Sequence, residues 1–166
     1  MFDLDTYIIS DTHFHHNNII RYCNRPARHD SIMVDNWNSI VKNDDVVLHL
    51  GDIAFATQKH GIPWLRGNKY FIRGNHDHSH TVKTLKSQGW KEVKPFIQKF
   101  GEGMRIYFTH YPTDERFNEW DLNIHGHIHN NGYGEFSPCQ NMNVSIEVMD
   151  YRPWKLGDIL ERRHLK

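Results

Sequence analysis

The sequence predicts an α/β protein in which mixed β-sheets are covered by helices. Five short apolar runs have the length of buried strands, and each leads directly into Asp, Asn or His. Helical patterns lie between several of the runs, and the order strand, helix, strand is typical of right-handed crossover units in layered folds. With 166 residues, the chain has the length of a single domain spanning residues 1–166.

The apolar runs are the first set of predicted elements. Because each run is short and then becomes polar, we interpret it as a strand whose carboxyl end meets a loop. In chain order they are TYIISDTH (6–13), DVVLHLGD (45–52), KYFIRGNHD (69–77), RIYFTH (105–110) and LNIHGHIH (122–129).

Helices and further strands complete the prediction. The stretch 30–43 places Met33 and Trp37 on one helical face, with Asp30 or Ser31 as its N-cap, and a second helix spans 79–89. Two alternating runs within 96–108 predict a β-hairpin that turns at residues 101–103. We expect one more strand over 141–148, and a short strand and helix in the segment 147–166.

The charge and cysteine content exclude several classes of protein. Lys and Arg total 20, as do Asp and Glu, so a partner such as an extended nucleic-acid duplex is not expected. Two cysteines, Cys23 and Cys139, are too few for a disulfide framework. The acidic start and the lack of a long apolar stretch argue against a signal peptide or a membrane span. The sequence therefore predicts a cytoplasmic protein without membrane contact.

Carboxylate, amide and imidazole side chains follow the predicted strands. They are Asp11, His13, Asp52, Asn75, His76, Asp77, His110, His127 and His129. Two pairs, Asp11 with His13 and His127 with His129, have the spacing that puts both side chains on one face of an extended strand. Strand ends in open α/β sheets are the usual place for ligands, so we expect these side chains to converge.

Imidazole and carboxylate ligands without cysteine suit Zn, Fe, Mn, Co or Ni. The set contains more ligands than one four-coordinate ion needs, so we expect two divalent ions that share a carboxylate, roughly 3.5–4 Å apart. A hydroxide between two such ions attacks phosphorus in line in two-metal hydrolases. His125 and His49 are expected to be buried neighbours of the site rather than ligands.

Five blocks of the sequence resemble a known family. DTH (11–13), GD (51–52), GNHD (74–77), TH (109–110) and GHIH (126–129) are similar, in this order, to the blocks of the calcineurin-like metallophosphoesterases. The resemblance implies a four-layer αββα sandwich with two mixed sheets and a dinuclear centre at the strand ends.

The same resemblance implies a role for each matching residue. Asp11, His13 and His129 would hold one metal, and Asn75, His110 and His127 the other, with Asp52 bridging. His76 would contact the phosphate and serve as general acid to the leaving group, and Asp77 would orient its imidazole.

The expected activity is hydrolysis of phosphodiesters in small substrates, nucleotide-derived ones among them, with Mn²⁺ as the metal expected to work in vitro. The alternatives are a phosphomonoesterase, a nucleotide pyrophosphohydrolase or a nuclease at the same site, and a non-catalytic docking module. The stretch 14–26 directly follows the first ligand pair, so His16, Asn17, Arg21 and Arg25 are candidate substrate contacts. The polar loop 111–121 is expected to form one wall of the pocket.

Overall fold

Two mixed β-sheets form the centre of the computed structural model, which describes residues 2–101, 103–114, 119–134 and 140–163. The first sheet contains β1 (Tyr7–Ile9), β2 (Val46–His49), β3 (Asn68–Ile72), β4 (Lys91–Val93) and β9 (Trp154–Lys155). Its strand order is β4-β3-β2-β1-β9, and only β9 runs antiparallel to its neighbour.

The second sheet begins with the predicted hairpin. It contains β5 (Phe96–Phe100), β6 (Met104–Phe108), β7 (Leu122–His125) and β8 (Asn141–Asn143), in the order β5-β6-β7-β8. The β5–β6 pair is antiparallel, and the two following pairs are parallel. Residue 102, within the predicted turn, lies outside the described residues.

Helices of different length connect the strands. They are α1 (Ile19–Tyr22), α2 (His29–Ile40), α3 (Thr57–His60), α4 (Ser79–Ser87) and α5 (Leu156–Arg163), with one turn of 3-10 helix at Ile146–Val148. Among the helices within these described ranges, none has the length and apolar character needed to cross a bilayer. The cytoplasmic location stays a prediction.

The first sheet has a hydrophobic core on each face because its side chains alternate along each strand. Ile9 of β1 and Phe71 of β3 pack with Trp37 of α2, whereas the adjacent Ile8 and Ile72 belong to the core between the sheets. The second sheet supplies the rest of that inner core, and α5 adds Leu156 and Ile159. This arrangement confirms the predicted sandwich of two mixed sheets with helices.

Three local predictions need correction. Arg28, not Asp30 or Ser31, occupies the N-cap of α2, and the Asp30 carboxylate instead accepts a hydrogen bond from the backbone N–H of His15. The strand expected over 141–148 ends at Asn143, because the Asn143 side chain accepts a hydrogen bond from the backbone N–H of Ser145 and forms a local turn. The extended backbone expected at 11–13 and 127–129 is also absent, since β1 ends at Ile9 and β7 at His125.

Candidate metal centre

The loops that follow five strands carry the candidate ligands. Parallel pairing of β1 with β2 brings two of these loops together. The pairing continues beyond the strands through two hydrogen bonds of 3.0 Å. In these, the Asp11 N–H donates to the Gly51 carbonyl and the His13 N–H donates to the Asp52 carbonyl. The order of the strands in the two sheets therefore positions the site.

Left-handed backbone, rather than extended backbone, aims most of the candidate ligands. The φ angle is positive at five of them, in a region that residues other than glycine rarely adopt: Asp11 (59°), His13 (48°), Asp52 (58°), His127 (71°) and His129 (51°). The same-face argument from extended strands was therefore wrong, although the side chains do converge. Such conformations cluster at functional sites, where the surrounding structure determines the backbone.

The first ligand group consists of Asp11, His13 and His129, whose ligand atoms all lie within 4.8 Å of one another. Asp11 Oδ1 is 3.8 Å from Nε2 of His13 and 3.8 Å from Nε2 of His129. The other Asp11 oxygen, Oδ2, accepts hydrogen bonds from the His127 backbone N–H and the Ser145 hydroxyl. One carboxylate oxygen thus fixes the loop while the other faces two imidazoles.

The second ligand group consists of Asp52, His110 and His127, again within 4.8 Å of one another. Asn75 joins this group, because its Oδ1 lies 2.9 Å from Nε2 of His110. Asp52 also reaches the first group: its Oδ2 is 3.6 Å from Nε2 of His13 and 3.5 Å from Nε2 of His110. Asp52 therefore lies between the two groups.

Hydrogen bonds on the far side of two rings leave Nε2 for a ligand. Nδ1 of His110 is 2.8 Å from the Leu50 carbonyl, and Nδ1 of His129 is 2.9 Å from a Glu147 carboxylate oxygen. A partner at Nδ1 holds each ring so that Nε2 faces the ligand groups, and Nε2 would carry the binding lone pair once its proton is displaced.

The electrostatic environment of the ligands differs from residue to residue. Burial lowers the pKa of His13 far below its usual value, so this imidazole stays neutral. For His129, hydrogen bonds with Cys23 and Glu147 outweigh the effect of burial and raise the pKa to about 10. For Asp52, interactions with His110 and His13 outweigh burial and lower the pKa. A cation that binds His129 Nε2 must therefore displace a proton.

Several features fit bound divalent metal ions. Asp11 Oδ1 and Nε2 of His13 are buried, and neither has a hydrogen-bond partner among the described residues. Buried polar atoms without partners are costly unless something binds them, and nitrogen and oxygen donors suit first-row divalent ions. A Cβ at Gly126 would collide with the Asp11 carboxylate and one at Gly74 with the Asp52 carboxylate, so both glycines leave room for these ligands.

Glu147 and Arg25 form a buried pair behind the first ligand group. Glu147 Oε1 lies 2.7 Å from an Arg25 guanidinium nitrogen, and both side chains are almost fully buried. Arg25 also donates hydrogen bonds of 2.6 Å to the carbonyls of Asp11 and Thr12. The prediction of Arg25 as a substrate contact was therefore wrong, because its donors are already engaged inside the protein. The sequence analysis missed Glu147, which sits in a 3-10 turn outside every motif.

Asp77 supports the loops rather than the His76 ring. Its two carboxylate oxygens accept hydrogen bonds from the backbone N–H groups of Asp52, Ile53 and Gly74, at 2.8–3.0 Å. Among the described residues no hydrogen bond joins the Asp77 carboxylate to the His76 ring, so the implied role as orienting partner of that imidazole has no supporting contact. His76 itself is exposed, with its ring centroid 5.5 Å from that of His13, and its backbone N–H donates to Asp52 Oδ1.

The remaining candidate residues lie at different depths. His16 stacks on Phe55 with ring centroids 4.0 Å apart, and Phe55 lies 5.2 Å from His76, so both rings border the site. Asn17 and Arg21 are exposed, and no described contact joins either to the ligand groups. His49 and His125 are fully buried, and burial lowers their pKa values to about 3 and about 4.

Comparisons with known proteins agree with this geometry. The profile of the calcineurin-like phosphoesterase superfamily domain matches residues 4–143. Uncharacterized protein MJ1445 of Methanocaldococcus jannaschii is 34% identical over 179 residues, covering 93% of this chain and 89% of that protein. Gene 66 protein of Mycobacterium phage L5 is 27% identical over 160 residues, covering 75% and 77%.

A solved structure is also similar. Protein AQ665 of Aquifex aeolicus, described as a protein of unknown function, is 29% identical and superimposes with a TM-score of 0.73, covering 95% of this chain and 98% of that one. The fold, the two His/Asp groups and the family profile lead to the same conclusion. The chain belongs to the calcineurin-like phosphoesterase superfamily and is a metal-dependent phosphoesterase, a hydrolase.

Proposed function

We propose that this protein is a phosphodiesterase with a dinuclear metal centre. Its substrate is a small phosphate ester of the nucleotide-derived class, and Mn²⁺ fills both metal positions in vitro, with Fe, Ni, Co or Zn as alternatives. Asp11, His13 and His129 would hold one ion, and Asn75, His110 and His127 the other.

The position of Asp52 carries the proposal of two ions rather than one. Its Oδ2 is almost equidistant from His13 in the first group, at 3.6 Å, and from His110 in the second, at 3.5 Å. A carboxylate oxygen between two sets of nitrogen donors suits a bridging ligand. Its other oxygen is fixed by the His76 backbone N–H, so the carboxylate has one defined orientation.

The overall reaction converts a diester and water into a monoester and an alcohol. When bound, the ions lower the pKa of a water molecule and balance negative charge on the phosphate oxygens. Oxygen from water bonds to phosphorus while the bond to one ester oxygen breaks. His76, exposed beside His13, donates a proton to the departing oxygen, so that the group leaves as a neutral alcohol.

Access to the site supports diesters over monoesters. Asn75 and His76 are both exposed, so the substrate side of the ligand groups is open to solvent. Aromatic rings border it on two sides, with Phe55 next to His76 and Tyr111 next to His127. In a bound diester, one ester group could contact the Phe55 ring and the other the Tyr111 ring.

The test is a paired assay of metal-stripped protein with Mn²⁺ added back, on bis(p-nitrophenyl) phosphate and p-nitrophenyl phosphate. We expect faster hydrolysis of the diester, and a loss of roughly 100-fold to 10,000-fold in His76→Ala without loss of bound metal. His78→Ala is the matched control, because His78 is an exposed histidine two positions along the chain.

Metal content measured on the same samples separates the parts of the proposal. Two Mn²⁺ per chain in the wild type, falling in Asp52→Asn, would support the bridging role. One tightly bound ion with full activity would refute the dinuclear centre. Preference for the monoester would refute the diesterase while leaving the metal site in place, and metal binding without turnover of either ester would favour a narrower substrate or a docking module.

A further inference from the structure

A groove of about 710 Å³ runs from the second ligand group along the surface of the second sheet. His110 lines the groove, so its near end lies at the candidate metal centre. Aromatic, aliphatic and polar side chains line its walls, and among them are Arg73, Glu119, Phe96, Ile97, Tyr111 and Trp120. This volume falls in the range of about 300–1,000 Å³ that is usual for small-molecule sites. Residues 115–118 of the predicted loop wall lie outside the described residues.

Tyr111 provides a ring surface where the groove meets the metal centre. Its ring centroid is 4.5 Å from that of His127 and 4.9 Å from that of His110, yet 51% of the residue is exposed. Ile97, on the same groove, is also an exposed large apolar residue. Apolar side chains exposed together beside polar groups are typical of ligand-binding surfaces.

Arg73 places a positive charge in the groove, and Glu119 places a negative one. Arg73 Nε donates a 2.7 Å hydrogen bond to the Asp77 carbonyl, which fixes the position of the guanidinium group. Among the described residues no carboxylate pairs with it, so its terminal N–H groups are available to a substrate. An aromatic wall with one cation and one carboxylate beside it favours a flat ring with polar edges over a highly charged ligand.

The two aromatic borders distinguish the two ester groups of a diester. His76, the proton donor to the leaving group, lies next to Phe55 on one side of the ligand groups. Tyr111 and the groove lie next to His110 and His127, in the other ligand group. The ester group that is retained after hydrolysis would therefore point into the groove.

We propose that the groove binds the retained ester group of the substrate, and that this group carries a planar aromatic ring the size of a nucleobase, stacked on Tyr111. This inference rests on the proposed phosphodiesterase function and adds a specificity determinant to it. Stacking on an aromatic side chain tolerates different bases, because every base has a π-face. An alkyl group would leave most of the aromatic wall exposed to water.

The test compares two diesters with the same p-nitrophenol leaving group, thymidine 5′-(p-nitrophenyl) phosphate and methyl p-nitrophenyl phosphate, with the Mn²⁺-loaded protein. In Tyr111→Ala we expect kcat/KM to fall roughly 5-fold to 150-fold for the thymidine ester and to stay within about 3-fold for the methyl ester. Tyr111→Phe should restore most of the loss. Trp64→Ala, which removes an exposed aromatic ring outside the groove, is the matched control.

Binding of products separates failure of this inference from failure of the proposed function. The wild type should bind adenosine 5′-monophosphate more tightly than ribose 5-phosphate, and Tyr111→Ala should remove the difference. Equal losses on both esters in Tyr111→Ala, or equal binding of the two products by the wild type, would overturn the subsite. If the wild type hydrolyses neither ester, the phosphodiesterase proposal fails, and the product-binding measurement alone decides whether the groove takes an aromatic ring.

Discussion

Replacing Glu147 by Gln tests the role of the buried pair behind the first ligand group. The Glu147 carboxylate contacts two cationic partners, the buried Arg25 at 2.7 Å and the partly buried His129 ring at 2.9 Å. The substitution keeps the size and one oxygen acceptor but removes the negative charge. It therefore separates the contribution of charge from that of packing.

Two effects of different size are expected from Glu147→Gln. Breaking a buried ion pair by removing one charge costs roughly 3–5 kcal/mol, and the oxygen retained by Gln favours the lower end, about 3 kcal/mol. For a chain of this size, that corresponds to a Tm about 6–12 °C lower in the metal-free protein. Loss of the carboxylate that orients His129 should also weaken metal binding about 10-fold to 100-fold, or about 1.4–2.8 kcal/mol.

The assay measures both quantities on the same protein. Thermal unfolding in the presence of a chelator reports the loss of both Glu147 pairs, with Arg25 and with protonated His129, and calorimetric titration with Mn²⁺ reports the effect on the first ligand group. Asp150→Asn is the control, because Asp150 is 61% exposed and its pairs with Arg152 and Arg162 are long, at 3.8 Å and 4.0 Å. Its effect should stay within about 0.5 kcal/mol. A Glu147→Gln protein that matches Asp150→Asn in Tm and binds Mn²⁺ like the wild type would refute the reasoning.

Three further predictions concern the loops and the buried histidines. Gly126→Ala should destabilise the protein and reduce its Mn²⁺ content, because the new Cβ would collide with the Asp11 carboxylate. Gly157→Ala in α5 is the control, since its new Cβ meets only ordinary contacts. In chemical unfolding this control should be neutral or stabilising by up to about 1 kcal/mol. Asp77→Asn should lower the free energy of unfolding by about 1–3 kcal/mol, since an amide cannot accept all three backbone hydrogen bonds. Wild-type stability with reduced activity would instead favour a role of Asp77 in orienting the His76 imidazole. His49 and His125 have pKa values of about 3 and about 4, so both stay neutral in the folded state. Below about pH 6.5 each gains a proton on unfolding. The free energy of unfolding should therefore fall by up to about 1.4 kcal/mol per pH unit for each histidine as the pH drops towards about 4. Denaturant titrations of the metal-free protein between pH 7 and pH 4.5 measure this slope, and a flat profile would contradict it.

The sequence could predict the layers of the fold and the convergence of the candidate ligands because both depend on short local patterns. An apolar run that ends in Asp or His identifies a strand and its carboxyl end within about eight residues, and parallel pairing then brings the ends together. His49 and His125 followed from the same periodicity, and the structure buries both as expected.

The polar supports of the site could not be predicted because they depend on contacts between distant segments. Arg25 and Glu147 are 122 positions apart, and nothing near either residue indicates the other. An arginine in a loop after a ligand pair is more readily interpreted as a phosphate contact than as a buried side chain that binds backbone carbonyls. Arg25 was misassigned for this reason. Asp77 raised the same difficulty, since its three backbone donors come from two loops that only the folded sheet brings together.

The left-handed backbone explains why such supports are present. Each non-glycine residue with left-handed backbone has a conformational free energy roughly 1–2 kcal/mol higher than with right-handed backbone. Regular sheet hydrogen bonds alone do not stabilise the loops that carry Asp11 and Asp52. In their place, charged side chains bind the backbone of each loop. Arg25 donates to the carbonyls of Asp11 and Thr12, while Asp77 accepts from the N–H groups of Asp52 and Gly74.

The third loop is fixed in the same way, since Asp11 Oδ2 accepts from the His127 backbone N–H. Charged groups thus hold three ligand-bearing loops in conformations that the chain would not adopt by local preference. A metal ion that enters this site meets ligands already in place, because the ordering has occurred during folding. It follows that Glu147→Gln and Asp77→Asn should weaken metal binding, although neither side chain is assigned as a ligand of the proposed dinuclear centre.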